Sequence, residues 1–118
     1  MKSVTKLALV LSALPLCALS AHAYGDVNDN VYGDSGSHSS SSSFDNIPSG
    51  AYVVLEGSCA YPGATASASA WGSCPFISLN YTYPQAGDVD GFTSYAGTVY
   101  YSIAATGTSY AFIEIDWF

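Results

Sequence analysis

Arginine is absent from this 118-residue chain, and lysine occurs only at Lys2 and Lys6. Nine acids outnumber those two cations, giving a formal charge of −7. Nucleic-acid binding needs cations that displace counterions from phosphate. Adhesion to anionic lipid needs them too. Beyond Lys6 the sequence has none, so neither partner is expected.

Histidine is almost as scarce, at His22 and His38 only. His38 lies in a run of serines, whereas a catalytic triad needs a histidine held rigidly between nucleophile and acid. No lysine after Lys6 can serve as a base, and no arginine can clamp an oxyanion. No catalytic residue is assigned, and the chain reads as a non-enzyme. There is one long apolar run, Leu7 to Leu19, too short to span a bilayer as a helix. No window after it has a convincing helical period.

What is present starts with a recognisable N-terminus. Lys2 and Lys6 precede the apolar run, and Ala21-His22-Ala23 follows it with small residues at the two positions a signal peptidase reads. Residues 1–23 are a secretory signal peptide, with cleavage near Ala23. The protein is expected in the periplasm or outside the cell. Residues 24–118 would then keep every acid and no Lys or Arg. They also keep two cysteines, Cys59 and Cys74. In an exported protein such a pair is expected to form a disulfide, stabilising by about 3 kcal/mol for a loop of this length.

Residues 24–43 hold few aliphatic side chains, only Val27 and Val31, and end in Ser39 to Ser43. Composition of this kind cannot offset its ordering entropy, so a flexible acidic and serine-rich arm is expected. From Phe44 to Phe118 short runs rich in Val, Ile, Thr, Tyr and Phe alternate with Gly, Pro, Asn and Ser clusters. That is an all-β pattern. Strands are expected at 51–58, 66–71, 76–83, 97–105 and 109–117, with 92–96 either beginning the fourth or forming a short sixth strand. A small antiparallel β-sandwich, or a partly open barrel, of five or six short strands follows.

Alternation fixes faces. Ala111, Ile113, Ile115 and Trp117 share one face of the last strand, and Glu114 and Asp116 the other. Val99, Tyr101 and Ile103 are the inward set of the strand before it. Val53, Leu55 and Cys59 point inward from the first strand, and Ile77, Leu79 and Tyr81 from the third. A three-residue loop, Thr106-Gly107-Thr108, would pair Ile103 with Ala111, Tyr101 with Ile113 and Val99 with Ile115 in a hairpin, Gly107 being left-handed.

Three constellations could carry chemistry. Glu114 and Asp116 lie about 7 Å apart along a strand, a glycosidase-like spacing, although a solvated strand face explains them as well. Asp26, Asn28 and Asn30 occupy positions 1, 3 and 5 of an EF-type calcium loop. The pattern then fails, with Val31 in place of the glycine and Ser37 in place of the glutamate. Asp88 and Asp90 form a second fragment, D-x-D-G, which turn chemistry also accounts for. Calcium is the one cofactor candidate, and no metal site is assigned. Finally, Tyr52, Tyr100, Tyr110 and Phe112 point outward by parity and form a candidate binding surface.

The function expected is an exported, non-catalytic structural or interaction protein that self-associates through strand edges or meets a protein partner. The alternatives are a polysaccharide-binding module using the outward aromatics, and a secreted inhibitor or toxin-like effector presenting Cys74-Pro75 or the segment 84–91. The Tyr-Gly-Asp tripeptide at Tyr24 and again at Tyr32 has no explanation at this level.

Overall fold

The computed structural model describes residues 24–118; residues 1–23, the expected signal peptide, lie outside them. Eight antiparallel strands form two four-stranded sheets, with no helix among the described residues. The strands are β1 (Gly25–Tyr32), β2 (Ser37–Ile47), β3 (Tyr52–Cys59), β4 (Thr65–Gly72), β5 (Ile77–Thr82), β6 (Ala86–Phe92), β7 (Gly97–Thr106) and β8 (Ser109–Trp117). Sheet I has the order β1-β8-β3-β6 and sheet II the order β2-β7-β4-β5. The two do not close into a barrel.

The core lies between them. Val53, Leu55, Ile113 and Ile115 enter from sheet I, and Val99, Ile103 and Leu79 from sheet II. Sheet II also contributes the alanines of β4, since Ala66, Ala68 and Ala70 alternate with outward Ser67, Ser69 and Trp71. Small residues there let the sheets approach. A side chain at Gly57 on β3 would meet Leu79 at 3.1 Å and Ala66 at 3.4 Å. Packing of large against small positions fills such a core to high density.

The inward sets read from parity are those observed. Val53, Leu55, Cys59, Val99, Tyr101, Ile103, Ala111, Ile113 and Ile115 are all buried. Their pairing is different. β7 and β8 are in opposite sheets: Ile103 pairs with Ser40 and Ala68, while Ala111 pairs with Val31 and Gly57. The turn at Gly107, whose φ is +73° as a left-handed glycine requires, carries the chain from one sheet to the other. Period-two alternation shows which side chains are inward, but not whether two inward faces share a sheet or oppose each other.

Three further expectations are corrected. Residues 24–43 are β1 and most of β2. β1 pairs with β8 at eight consecutive positions from Gly25 to Tyr32, and β2 pairs with β7 from Ser37 to Phe44. Edge strands need little apolar surface when their backbone is satisfied on one side. Asp88 to Gly91, read as a turn, likewise lie in an edge strand, held on β3 with Val89 opposite Leu55.

The disulfide does not form either, and Cys59 and Cys74 are separate buried thiols. Cys59 ends β3 beside Ser109, whereas Cys74 follows β4 at the end where Gly72 meets Val99. The eight-residue β4 sets them about 20 Å apart, far beyond the reach of a disulfide.

Candidate functional site

The outer faces of the two sheets have opposite chemistry. Sheet I bears six of the nine acids: Asp26, Glu56, Asp88, Asp90, Glu114 and Asp116. Sheet II presents Ser39, Ser41, Ser67, Ser69, Ser78, Asn80, Ser102 and Thr106, with no charged residue among its paired rows from Ser37 to Ser43. Its hydroxyls bond across strands, Ser41 to Ser102 at 3.0 Å and Ser37 with Thr106 at 3.1 Å.

The expected aromatic surface divides into three. Tyr110 and Phe112 stand at one end of sheet I. Tyr52 stands at the other, opposite Asp116, with its ring 5.2 Å from that of Phe92 and its hydroxyl donating to Asp90 at 2.7 Å. That hydrogen bond, then partial burial and the charge of Asp90, raise the Tyr52 phenol above its ordinary value. Tyr100 is on the far side of the molecule, on sheet II, stacked on Trp71 at 6.2 Å. Parity makes a residue outward without saying from which sheet.

The calcium fragments also separate. Asp26, Asn28 and Asn30 alternate along the outer face of β1, an extended strand that does not wrap around an ion. Asp88 and Asp90 are on β6, at the opposite edge of the same sheet. The structure instead brings Asp26 together with Glu114 and Asp116, with ligand atoms within 4.8 Å of one another. Asp26 is directly opposite Asp116 in the β1–β8 pairing. Glu114 and Asp116 therefore share a face as their spacing requires. Asn80 of the Asn80-Tyr81-Thr82 sequon is exposed on β5.

The tandem Tyr-Gly-Asp is explained by β1 itself. Eight is an even number, so both copies present the same faces. Each glycine faces a neighbour that leaves no room for a side chain: Trp117 at Gly25, and the backbone of Gly107 at Gly33. Each tyrosine turns outward onto an aromatic at or beyond β8. Tyr24 lies 5.4 Å from Phe118, and Tyr32 lies 5.9 Å from Tyr110.

The second pair forms one wall of a depression of about 360 Å³ lined by Asn30, Tyr32, Glu56, Tyr110 and Phe112. Cross-strand pairing sets this geometry, because Asn30 and Glu56 flank Phe112 and Tyr32 flanks Tyr110. Burial, then the charges of Glu56 and of Tyr32, push the Tyr110 phenol upward. Sequence reasoning found Tyr110 and Phe112 but missed Glu56 and Tyr32. Tyr32 was assigned to the arm, and the partner of Glu56 depends on strand order. A smaller depression of about 180 Å³ lies on the other side of the Tyr32–Tyr110 pair, with Asp34 on its rim.

Comparison with protein-family models, with curated proteins and with solved structures returns no match.

Proposed function

We propose that this is an exported, non-catalytic structural or interaction protein that self-associates through the edges of sheet II. The observation that carries this reading is the difference between the two sheets at their edges. In sheet I both edge strands carry acids, Asp26 and Asp29 on β1 and Asp88 and Asp90 on β6. Charge at an edge discourages another chain from pairing there. In sheet II β5 has no charged residue, and β2 has none from Ser37 to Phe44. β2 is also the longest strand, at 11 residues, and is irregular only beyond Phe44.

An exposed, uncharged strand offers a row of backbone donors and acceptors to a partner strand. Pairing of β2 with β2 would close a dimer, whereas β2 against β5 would propagate. Export is supported by the charge, apolar run and small residues of the first 23 positions. Sedimentation over a concentration series tests the proposal. Mass should rise with concentration in the parent and stay monomeric in Ser39→Lys/Ser41→Lys. A parent that remains monomeric at the highest concentration overturns it.

The stacked, exposed Trp71–Tyr100 pair favours a second reading, binding of a neutral polysaccharide on the hydroxyl-rich face of sheet II. Sugar rings stack on such aromatics. Retention on insoluble polysaccharide should disappear in Trp71→Ala and Tyr100→Ala. Unchanged retention in both variants excludes this face.

A further inference from the structure

We propose that the depression between β1, β8 and β3 binds a small organic ammonium ion. It lies on the outer face of sheet I and is independent of the edge pairing proposed for sheet II.

Three features converge there. The volume, about 360 Å³, is within the range of roughly 300–1,000 Å³ usual for small-molecule sites. Three aromatic rings line it, Tyr32, Tyr110 and Phe112. The Tyr32 and Tyr110 rings are 5.9 Å apart and inclined at 48°, a tilted pair that forms one wall of the depression. Glu56 adds a carboxylate and Asn30 an amide.

The charge balance identifies the occupant. Residues 24–118 contain no Lys or Arg, so no lysine or arginine of the folded chain can pair with Glu56. A cationic ligand would complement that charge. An anion would be repelled. A bare divalent ion needs a shell of six to eight oxygens, whereas the lining side chains offer one carboxylate, one amide and two phenols. An alkylated ammonium satisfies both components, because its diffuse charge is attracted to aromatic rings and to the carboxylate, while its methyl groups bury against the same surface. Glu56 is opposite Phe112 in the β3–β8 pairing, which places the charge beside the rings without a loop rearrangement.

Titration of the full chain with choline, followed by NMR of the aromatic ring signals, tests the assignment. Its uncharged carbon isostere, 3,3-dimethylbutan-1-ol, is the control. Choline should shift Tyr32, Tyr110 and Phe112 saturably, with a dissociation constant on the order of millimolar, and the isostere should not. Glu56→Gln and Tyr32→Ala should each weaken binding on the order of tenfold. Both are surface positions, and unchanged thermal unfolding would show that the fold is kept.

Absence of shifts at about 50 mM choline, or equal shifts with the isostere, overturns the proposal. A third arm uses phosphatidylcholine vesicles. Binding to vesicles without binding to free choline would also overturn it, since the recognised group would then be a lipid headgroup at a membrane surface.

Discussion

Tyr101 on β7 donates a hydrogen bond of 2.7 Å to Asp29 on β1, linking sheet II to sheet I at their open side. Ser40 on β2 donates to the same carboxylate oxygen at 2.6 Å, and Phe44 stacks on the Tyr101 ring at 4.8 Å. Asp29 is the acid of β1 that turns inward, and it ties β1 to β2 and β7 across the two sheets. Hydrogen bonds to a charged acceptor are worth about 1.5–3 kcal/mol. Asp29→Ala should therefore destabilise by about 2–3 kcal/mol, and Tyr101→Phe by less. In a double-mutant cycle measured by urea unfolding the two should couple. Strict additivity would show that the contact contributes nothing.

The same group predicts sensitivity to acid. Burial opposes the charged form of Asp29. The hydrogen bonds from Ser40, Tyr101 and the Asn30 N–H outweigh it and hold the carboxyl below its ordinary value. A carboxyl lowered in this way binds fewer protons folded than unfolded. Its contribution is complete above the unfolded value of about 3.9 and is lost as pH falls through the folded value. Unfolding free energy should drop below about pH 4, and Asp29→Asn should flatten that part of the profile. An identical pH profile in the variant would assign the acid dependence to other groups.

These contacts show which parts of the fold were legible in the sequence. Alternation gave the inward residues of β3, β7 and β8, because burial on one face leaves a period of two. The positive φ of Gly107 was equally legible, since the turn needed it. Strand order was not. Nothing local says that β8 pairs with β1 and β3 while β7 pairs with β2 and β4, so Tyr100 and Tyr110 read as parts of one outward surface although opposite sheets carry them. The serine run of β2 misled because disorder and a hydroxyl-faced edge strand have the same composition. Only Phe44 and Ile47 marked its buried side. The even spacing of the two Tyr-Gly-Asp copies was a usable signal for β1.

The cysteines give a direct chemical test. Cys59 and Cys74 are buried at opposite ends of the sheets, and burial raises both thiols above their ordinary value. A protonated, enclosed thiol reacts slowly. Both should be alkylated by a maleimide only when the protein unfolds. A reductant should leave the melting temperature unchanged. A fall corresponding to about 3 kcal/mol on reduction would reveal a bridge.

Self-association through sheet II has to overcome repulsion between copies that carry acids and, after residue 23, no Lys or Arg. Screening should help. The Debye length falls from about 30 Å at 0.01 M salt to about 8 Å at 0.15 M. The association constant should therefore rise with sodium chloride over this range, as read by sedimentation equilibrium. Weakening with salt would point to attractive charge contacts, which edge pairing through β2 and β5 does not contain.

Gly33 and Gly36 make a paired test of how β1 is fixed. Gly33 is buried, donates its N–H to the Ser109 carbonyl at 3.0 Å, and would drive any side chain into the backbone of the Gly107 turn. Gly36, three residues on, has room: a side-chain carbon there would be 3.6 Å from the Gly33 oxygen, an ordinary contact. Overpacking against backbone costs about 1–3 kcal/mol. Gly33→Ala should lose that much, and it should also move the Tyr32 ring away from Tyr110, visible as altered ring-current shifts. Gly36→Ala should stay within about 0.5 kcal/mol of the parent, or gain slightly as the unfolded chain loses freedom. Equal effects from the two substitutions would mean that β1 does not approach the Gly107 turn as closely as described.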